Sequence, residues 1–493
     1  MRSRVALTLA LAPAVLPVRA TAQFLPAEVA QSLDVWYGRA TRVAPGNWGI
    51  AITTADGRLL WAVNPNQPLA PASTAKIFTT GFARSVLGGQ ARIPTRVLGH
   101  GYVDPSTGAW IGPWALELNG DPTLDRAARS GPSLRQLATQ LRAMGIRELR
   151  GGLALQSATG TTATAVPAAW GDRYPGQLYA PPIGAVALHE NVVSLMVRPG
   201  RELDGAPELV WAIPAGWQAL VRMDARTVDG AASRLRLDQT VDGGWVLSGT
   251  IGRWARPTGF ASIAARPELV LEHAWAAALE RAGIQWARDP VVLPAAVRPL
   301  VPIAQVTSAP LDTLASEVNR RSVNIGAEML LRWAARGEGA GAGERLSAHV
   351  RAIVGPMARV RLADGSGLSP RDSVSPLTQA LYLARAPRAA NLAPLPLLLP
   401  KNGTGTLRGL GRGVLAPGVV RAKTGTLDSV AALAGYLGRR EGVVIVSAIY
   451  NGARTRPAKR AQWELFRLLG ANGVDLATAA SQAQLGGDDA GRR

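Results

Sequence analysis

Three short motifs occur once each in this chain and lie far apart: Ser73-x-x-Lys76, Ser322-x-Asn324 and Lys423-Thr424-Gly425. Of 54 basic residues only Lys76, Lys401, Lys423 and Lys459 are lysine, so two of the four sit in these motifs. A bias toward arginine accounts for the general excess, but it cannot replace a lysine whose chemistry requires losing a proton, because arginine stays charged in a protein. A serine hydroxyl is a weak nucleophile and needs a neighbouring base. With Ser73 on the first turn of a helix, Lys76 falls one turn on, on the same face. A lone Ser-x-x-Lys is most often a surface lysine on a helix; the ordered set of three motifs points to a serine–lysine site.

The N-terminus reads as an export signal. Arg2 and Arg4 precede the apolar run "VALTLALAPAVLPV", and "ATA" at 20–22 supplies small residues for cleavage before Gln23. The run is short, holds two prolines and lacks a stop-transfer flank, so the expectation is an exported, periplasmic protein with residues 1–22 removed. There is no cysteine, hence no disulfide or thiolate chemistry. The net charge of +20 becomes +17 once the signal's three arginines are removed; for an exported protein no nucleic-acid partner is expected, and the charge suits association with anionic envelope surfaces.

Along the chain, "NWGIAITTADGRLLWAVNP" reads as a β-hairpin turning at Ala55-Asp56-Gly57. A helix follows from Ser73, whose position suits a cap or first-turn role. From Ile93 the texture changes to short strand-like runs with helices at Ser133–Ile146 and Glu268–Ile284, each closed by Gly-Ile. From Asp312, helices broken by a polar loop lead to three strand-like runs and a closing amphipathic helix around Pro457–Gly470. No dinucleotide fingerprint, phosphate loop or His-Glu-x-x-His is present, so no cofactor and no metal are expected. The four histidines read as structural, Asp121 as a turn former, and Asp364 and Ser366 as turn residues.

Taken in order, the motifs resemble those of the penicilloyl-serine transferases, which comprise penicillin-binding proteins and serine β-lactamases. The offset of 246 positions from Lys76 to Ser322 exceeds what a compact β-lactamase could contain. Motifs and offset together resemble the D-alanyl-D-alanine carboxypeptidase/endopeptidase family, the low-molecular-mass class C penicillin-binding proteins of the DacB type. "NGDPTLD", "NRRSVNIGAEMLLR", "ADGSGLS", "NGTGTLRG", "AKTGTLDSVAALAGYL" and "IYNG" fall in family order. The chain departs from the family at Val323, where Asp is common. It departs again at Pro370-Arg371-Asp372, where an Arg and an Asn are usual, and in "GGLALQSATG", which lacks an expected Asp.

The resemblance implies an α/β, transpeptidase/β-lactamase-like domain, an antiparallel sheet flanked by helices, interrupted by a large β-rich insertion. Its expected pieces are 23–92 with 301–477 for the catalytic domain, 93–165 with 247–300 for inserted domain II, and 166–246 for nested domain III. A disordered tail is expected over 478–493. The implied activity is serine-type D-Ala-D-Ala carboxypeptidase and DD-endopeptidase on peptidoglycan stem peptides, with β-lactams as inhibitors. Ser73 would form the acyl-enzyme and Lys76 take its proton. Ser322 would relay a proton to the leaving amine, and Asn324 hold Lys76 and the substrate amide. Lys423 would supply a fixed positive charge, with Thr424, Gly425 and Thr426 completing the substrate edge. The N–H groups of Ser73 and Thr426 would form the oxyanion hole. The insertion, holding none of these residues, is expected to be dispensable for reaction with penicillin. A β-lactamase or esterase on the same fold, and a non-catalytic peptidoglycan-binding relic, are the competing readings.

Overall fold

The computed structural model describes residues 27–126, 131–158, 162–288, 299–337 and 340–479. The expected signal segment and residues 480–493 of the expected tail lie outside these. Thr478 and Ala479 belong to a helical turn over 476–479, where Asp475 accepts hydrogen bonds from the N–H groups of Ala477 and Thr478. The tail therefore does not begin at 478.

The described residues begin with α1 (Ala27–Val43), an element absent from the sequence reading. The hairpin β1 (Asn47–Thr54) and β2 (Leu59–Val63) follows as expected, with Gly57 at φ +90° in its turn. A 3-10 turn over Ala72–Ala75 leads into α2 (Lys76–Leu87). After the insertion come α3 (Leu311–Arg321), α4 (Asn324–Ala335) and α5 (Pro376–Arg385). Then follow β3 (Val420–Leu427), β4 (Val430–Arg439), β5 (Gly442–Asn451) and α6 (Thr455–Gly470). These strands form one sheet in the order β2–β1–β5–β4–β3, antiparallel throughout.

Alternation assigns the two faces. In β4, Ala431, Leu433 and Leu437 pack with Trp36 of α1 and Phe466 of α6, whereas Ala432, Ala434 and Tyr436 pack towards α2, α4 and α5. Both faces are covered, so β4 reads as an unbroken apolar run rather than an alternating one. The Trp36 indole donates to Ala461 O at 3.0 Å and ties the first helix to the last.

The insertion leaves and returns along one antiparallel pair, Pro94–Gly99 against Val301–Thr307. Val301–Thr307 thus belongs to a sheet of the insertion, and the catalytic part resumes near Ser308 rather than at 301. The nested unit also differs from its expected bounds of 166–246. Its strands run from Val192–Arg198 to Thr258–Ile263, and Trp245–Gly252 pairs along Ser233–Gln239. These sheets share one apolar core with the helices Leu134–Ala143 and Pro267–Arg281. Residues 166–190 do something else. Trp170, Ala180, Ile183 and Ala187 are buried in the core around α2, α3 and α4.

Candidate active site

The first motif is built on the 3-10 turn. Ala72 has φ +47°, a strained value for a residue with a side chain, and Thr74 Oγ1 donates to Pro71 O at 2.8 Å. Ser73 occupies the first turn without capping the helix. Its hydroxyl instead accepts from Lys76 Nζ at 3.0 Å. Lys76 is fully buried and also donates to Asn324 Oδ1 and to Ser366 O, both at 2.6 Å. Three acceptors match the three protons of an ammonium group. Burial lowers its pKa to about 8 against an opposing pull from Asp364, Glu328 and Asp372.

The second motif joins two helices. Ser322 closes α3 in the left-handed region at φ +62°, and Asn324 opens α4. Lys423 Nζ donates to Ser322 Oγ at 2.9 Å and to Thr424 O at 2.8 Å. Lys423 is fully buried, and its pKa is lowered by burial first, then by Lys76 and Lys459. Burial and the two neighbouring cations thus oppose the charge on Lys423.

Gly425 explains why this strand edge reaches the nucleophile. A Cβ there would lie 2.6 Å from Pro71 O and 3.1 Å from Ser73 N. Thr424 is buried beside Lys423, and Thr426 is exposed beyond it. The structure thus brings Ser73, Lys76, Ser322, Asn324, Lys423 and Gly425 into one contiguous cluster with Thr424 and Thr426 along its strand.

Behind Lys76 lies a turn over 363–372. Asp364 accepts from the N–H groups of Gly367, Leu368 and Ser369, from Ser366 Oγ, and from Trp170 Nε1. Asp364 and Ser366 are turn residues, as expected, but the turn aims the Ser366 carbonyl at Lys76. Glu328 accepts from Gly365 N at 3.1 Å, and burial followed by the charge on Asp364 raises its pKa to about 7. Asp121 accepts from Thr123 N–H and hydroxyl within its turn.

The sequence reading missed the contribution of residues 166–191. Asn324 Nδ2 donates to Tyr179 O at 2.7 Å, fixing the amide that holds Lys76. Trp170 reaches Asp364, and the Tyr174 hydroxyl donates to Leu368 O at 3.0 Å. Arg321, next to Ser322, pairs with Glu190, which also meets Arg126. A backbone carbonyl carries no sequence signal. The tryptophan and tyrosine could have been singled out only as aromatic residues in a polar, Gly/Pro-rich stretch.

The family model described as the D-Ala-D-Ala carboxypeptidase 3 (S13) family matches residues 29–469. A D-alanyl-D-alanine carboxypeptidase of Actinomadura sp. (strain R39) is 29% identical over 427 residues, covering 82% of this chain and 77% of the relative. The crystal structure of penicillin binding protein 4 (dacB) from Haemophilus influenzae superposes with a TM-score of 0.69 at 22% identity, covering 87% of this chain and 99% of that one. The same protein complexed with a β-lactam gives 0.67 at 23%, covering 88% and 99%.

Proposed function

This chain belongs to the D-Ala-D-Ala carboxypeptidase 3 (S13) family of serine peptidases, and from that membership we propose that it hydrolyses the D-Ala-D-Ala bond of peptidoglycan stem peptides. Trimming of free termini and cleavage of cross-links would share one Ser73 acyl-enzyme, and penicillins would acylate the same serine. The observation that carries this reading is the 3.0 Å contact between Ser73 Oγ and Lys76 Nζ, with Asn324 and Lys423 closing the cluster.

The proposed sequence starts with the substrate's terminal carboxylate. Its charge pairs with the Lys423 ammonium, and the Thr424 and Thr426 hydroxyls hold it. A charged Lys423 then disfavours the charge on Lys76. Neutral Lys76 takes the Ser73 proton as Oγ attacks the carbonyl carbon. The N–H groups of Ser73 and Thr426 stabilise the oxyanion, a contribution of roughly 3 kcal/mol per donor. Ser322, bridged to Lys423, relays the proton held by Lys76 to the departing D-Ala amine, which leaves Lys76 neutral and Ser322 reprotonated. Water then attacks the ester, gives a proton to Lys76, and Lys76 returns it to Ser73 Oγ as the acyl group leaves. The net charge and the export-signal reading support work at the cell envelope, in the periplasm. Among the described residues no helix is long and apolar enough to cross a membrane.

The test is mass spectrometry of the protein after penicillin treatment, paired with release of D-alanine from a D-Ala-D-Ala peptide. The expected result is one adduct on the peptide carrying Ser73, with peptide hydrolysis lost in step. An adduct elsewhere, or rapid turnover of penicillin with no peptide hydrolysis, overturns the proposal.

A further inference from the structure

Asp372 lies at the end of the turn behind Lys76 and is 2% exposed. Its Oδ1 accepts from Ala363 N at 2.7 Å. Its Oδ2 is buried and has no donor among the described residues. The Asp364 carboxyl, on the same turn, already takes five donors, the pattern of a carboxylate anion. Two facing buried carboxylates would leave Oδ2 desolvated and opposed by a like charge, a costly arrangement. One proton between them removes both problems, because a carboxylic acid offers an O–H donor.

We propose that Asp372 is a neutral carboxylic acid at neutral pH, and that the hydrogen bond it gives to Asp364 is a positioning element that holds the 363–372 turn against Lys76. This rests on the reading of Lys76 as the base. The groups acting on Asp372 are Asp364 in the same turn and Glu328 from α4, with Lys76 from α2 beyond them. All but Lys76 are acidic, so each opposes ionisation, in line with the strongly raised pKa of Asp372, for which burial is the leading cause.

Two consequences follow for the site. The turn carries the Ser366 carbonyl that receives Lys76 and the Gly365 carbonyl that receives Thr79 Oγ1 at 2.7 Å. It also packs at Gly367 (φ +82°), where a Cβ would overlap Ala72 O, next to the nucleophile. Loosening the turn therefore displaces both Ser73 and Lys76. Keeping Asp372 neutral also withholds one more anion from Lys76, which would otherwise hold its proton more tightly.

The experiment compares the full chain with Asp372→Asn and Asp372→Ala. Aspartates are labelled with 13C at the side-chain carboxyl so that infrared bands of unionised Asp are separated from those of Glu. At pH 7 the parent should show an unionised aspartate band that Asp372→Asn lacks. Bands from Asp121 and Asp125 cancel in the difference. Penicillin acylation should fall strongly in Asp372→Ala and return to within a few-fold of the parent in Asp372→Asn, whose amide can donate to Asp364. Stability supplies a further readout. The folded pKa lies above the unfolded value, so the native state holds the proton longer. Stability is then complete below the unfolded pKa near 3.8 and declines as pH rises towards the folded value. Asp372→Asn should flatten that decline. Loss of an ionised rather than an unionised band overturns the proposal, as does an equal pH slope in parent and Asn variant. If neither variant folds, a parent spectrum with no unionised aspartate at pH 7 overturns it alone. If acylation falls equally in both folded variants, the positioning role is wrong. If Asp372 acts without Ser73 chemistry, the infrared result stands while the acylation comparison shows no activity in any form, which separates this proposal from the functional reading.

Discussion

At Lys76 the decisive quantity is a proton. The side chain is sealed from solvent and holds three acceptors, and its pKa near 8 leaves roughly a tenth of it neutral at pH 7. Acylation by penicillin should rise with pH, about tenfold per unit below 8, and level off above it, as read by stopped-flow or adduct formation. A rate that is flat from pH 6 to 9 would remove Lys76 from the rate-limiting proton transfer. Lys76→Arg keeps the charge and nearly the length but cannot give up its proton. It should lose acylation altogether, and a variant retaining even about a tenth of the parent rate would contradict a base at this position.

Among the elements, β3 matters most for its lack of bulk. The Lys-Thr-Gly edge runs so close to the 3-10 turn that Gly425 has no room for a methyl group against Pro71 O. Gly425→Ala should push the turn carrying Ser73 away from the strand and misplace the Ser73 N–H. A loss of about a hundredfold in acylation is expected, the scale of one missing oxyanion donor, with little change in melting temperature. Near-parental acylation would mean the strand and turn can separate freely. The α3–α4 junction behaves similarly. Ser322 takes a left-handed backbone held by the helix end and by Lys423, so its strain is confined to the place where the hydroxyl is used.

Over the whole molecule, the insertion is not an independent attachment. Trp170 is fully buried in the catalytic core, and Tyr179 O receives the Asn324 amide. Replacing residues 94–307 with a linker should therefore abolish penicillin acylation, contrary to the expectation from motif positions alone. Trp170→Ala isolates the effect in an intact chain. It should cost about 3–5 kcal/mol of stability, by denaturant unfolding, and slow acylation by loosening Asp364. A truncated protein that folds, by circular dichroism, and reacts at the parental rate would show that the docked segment serves packing alone.

Sequence alone determined the elements whose signals are local. The hairpin at Ala55-Asp56-Gly57, the capped helix after Ser133 and the closing amphipathic helix follow from turn chemistry, capping and periodicity, and each is present. The nucleophile and its lysine were legible because a helical turn brings residues three apart together, and Lys423 because a scarce residue stood in a distinctive triplet. Other features depend on which surfaces meet. The pairing of Pro94–Gly99 with Val301–Thr307 moved the domain junction, and no periodicity within either strand specifies its partner. Tyr179 acts through its backbone carbonyl, identical in every residue. The charge states of Lys423, Glu328 and Asp372 arise from burial and from neighbours drawn from distant segments. Protonation is set by solvent exclusion and by the charges within a few ångströms, and the tertiary structure alone decides both.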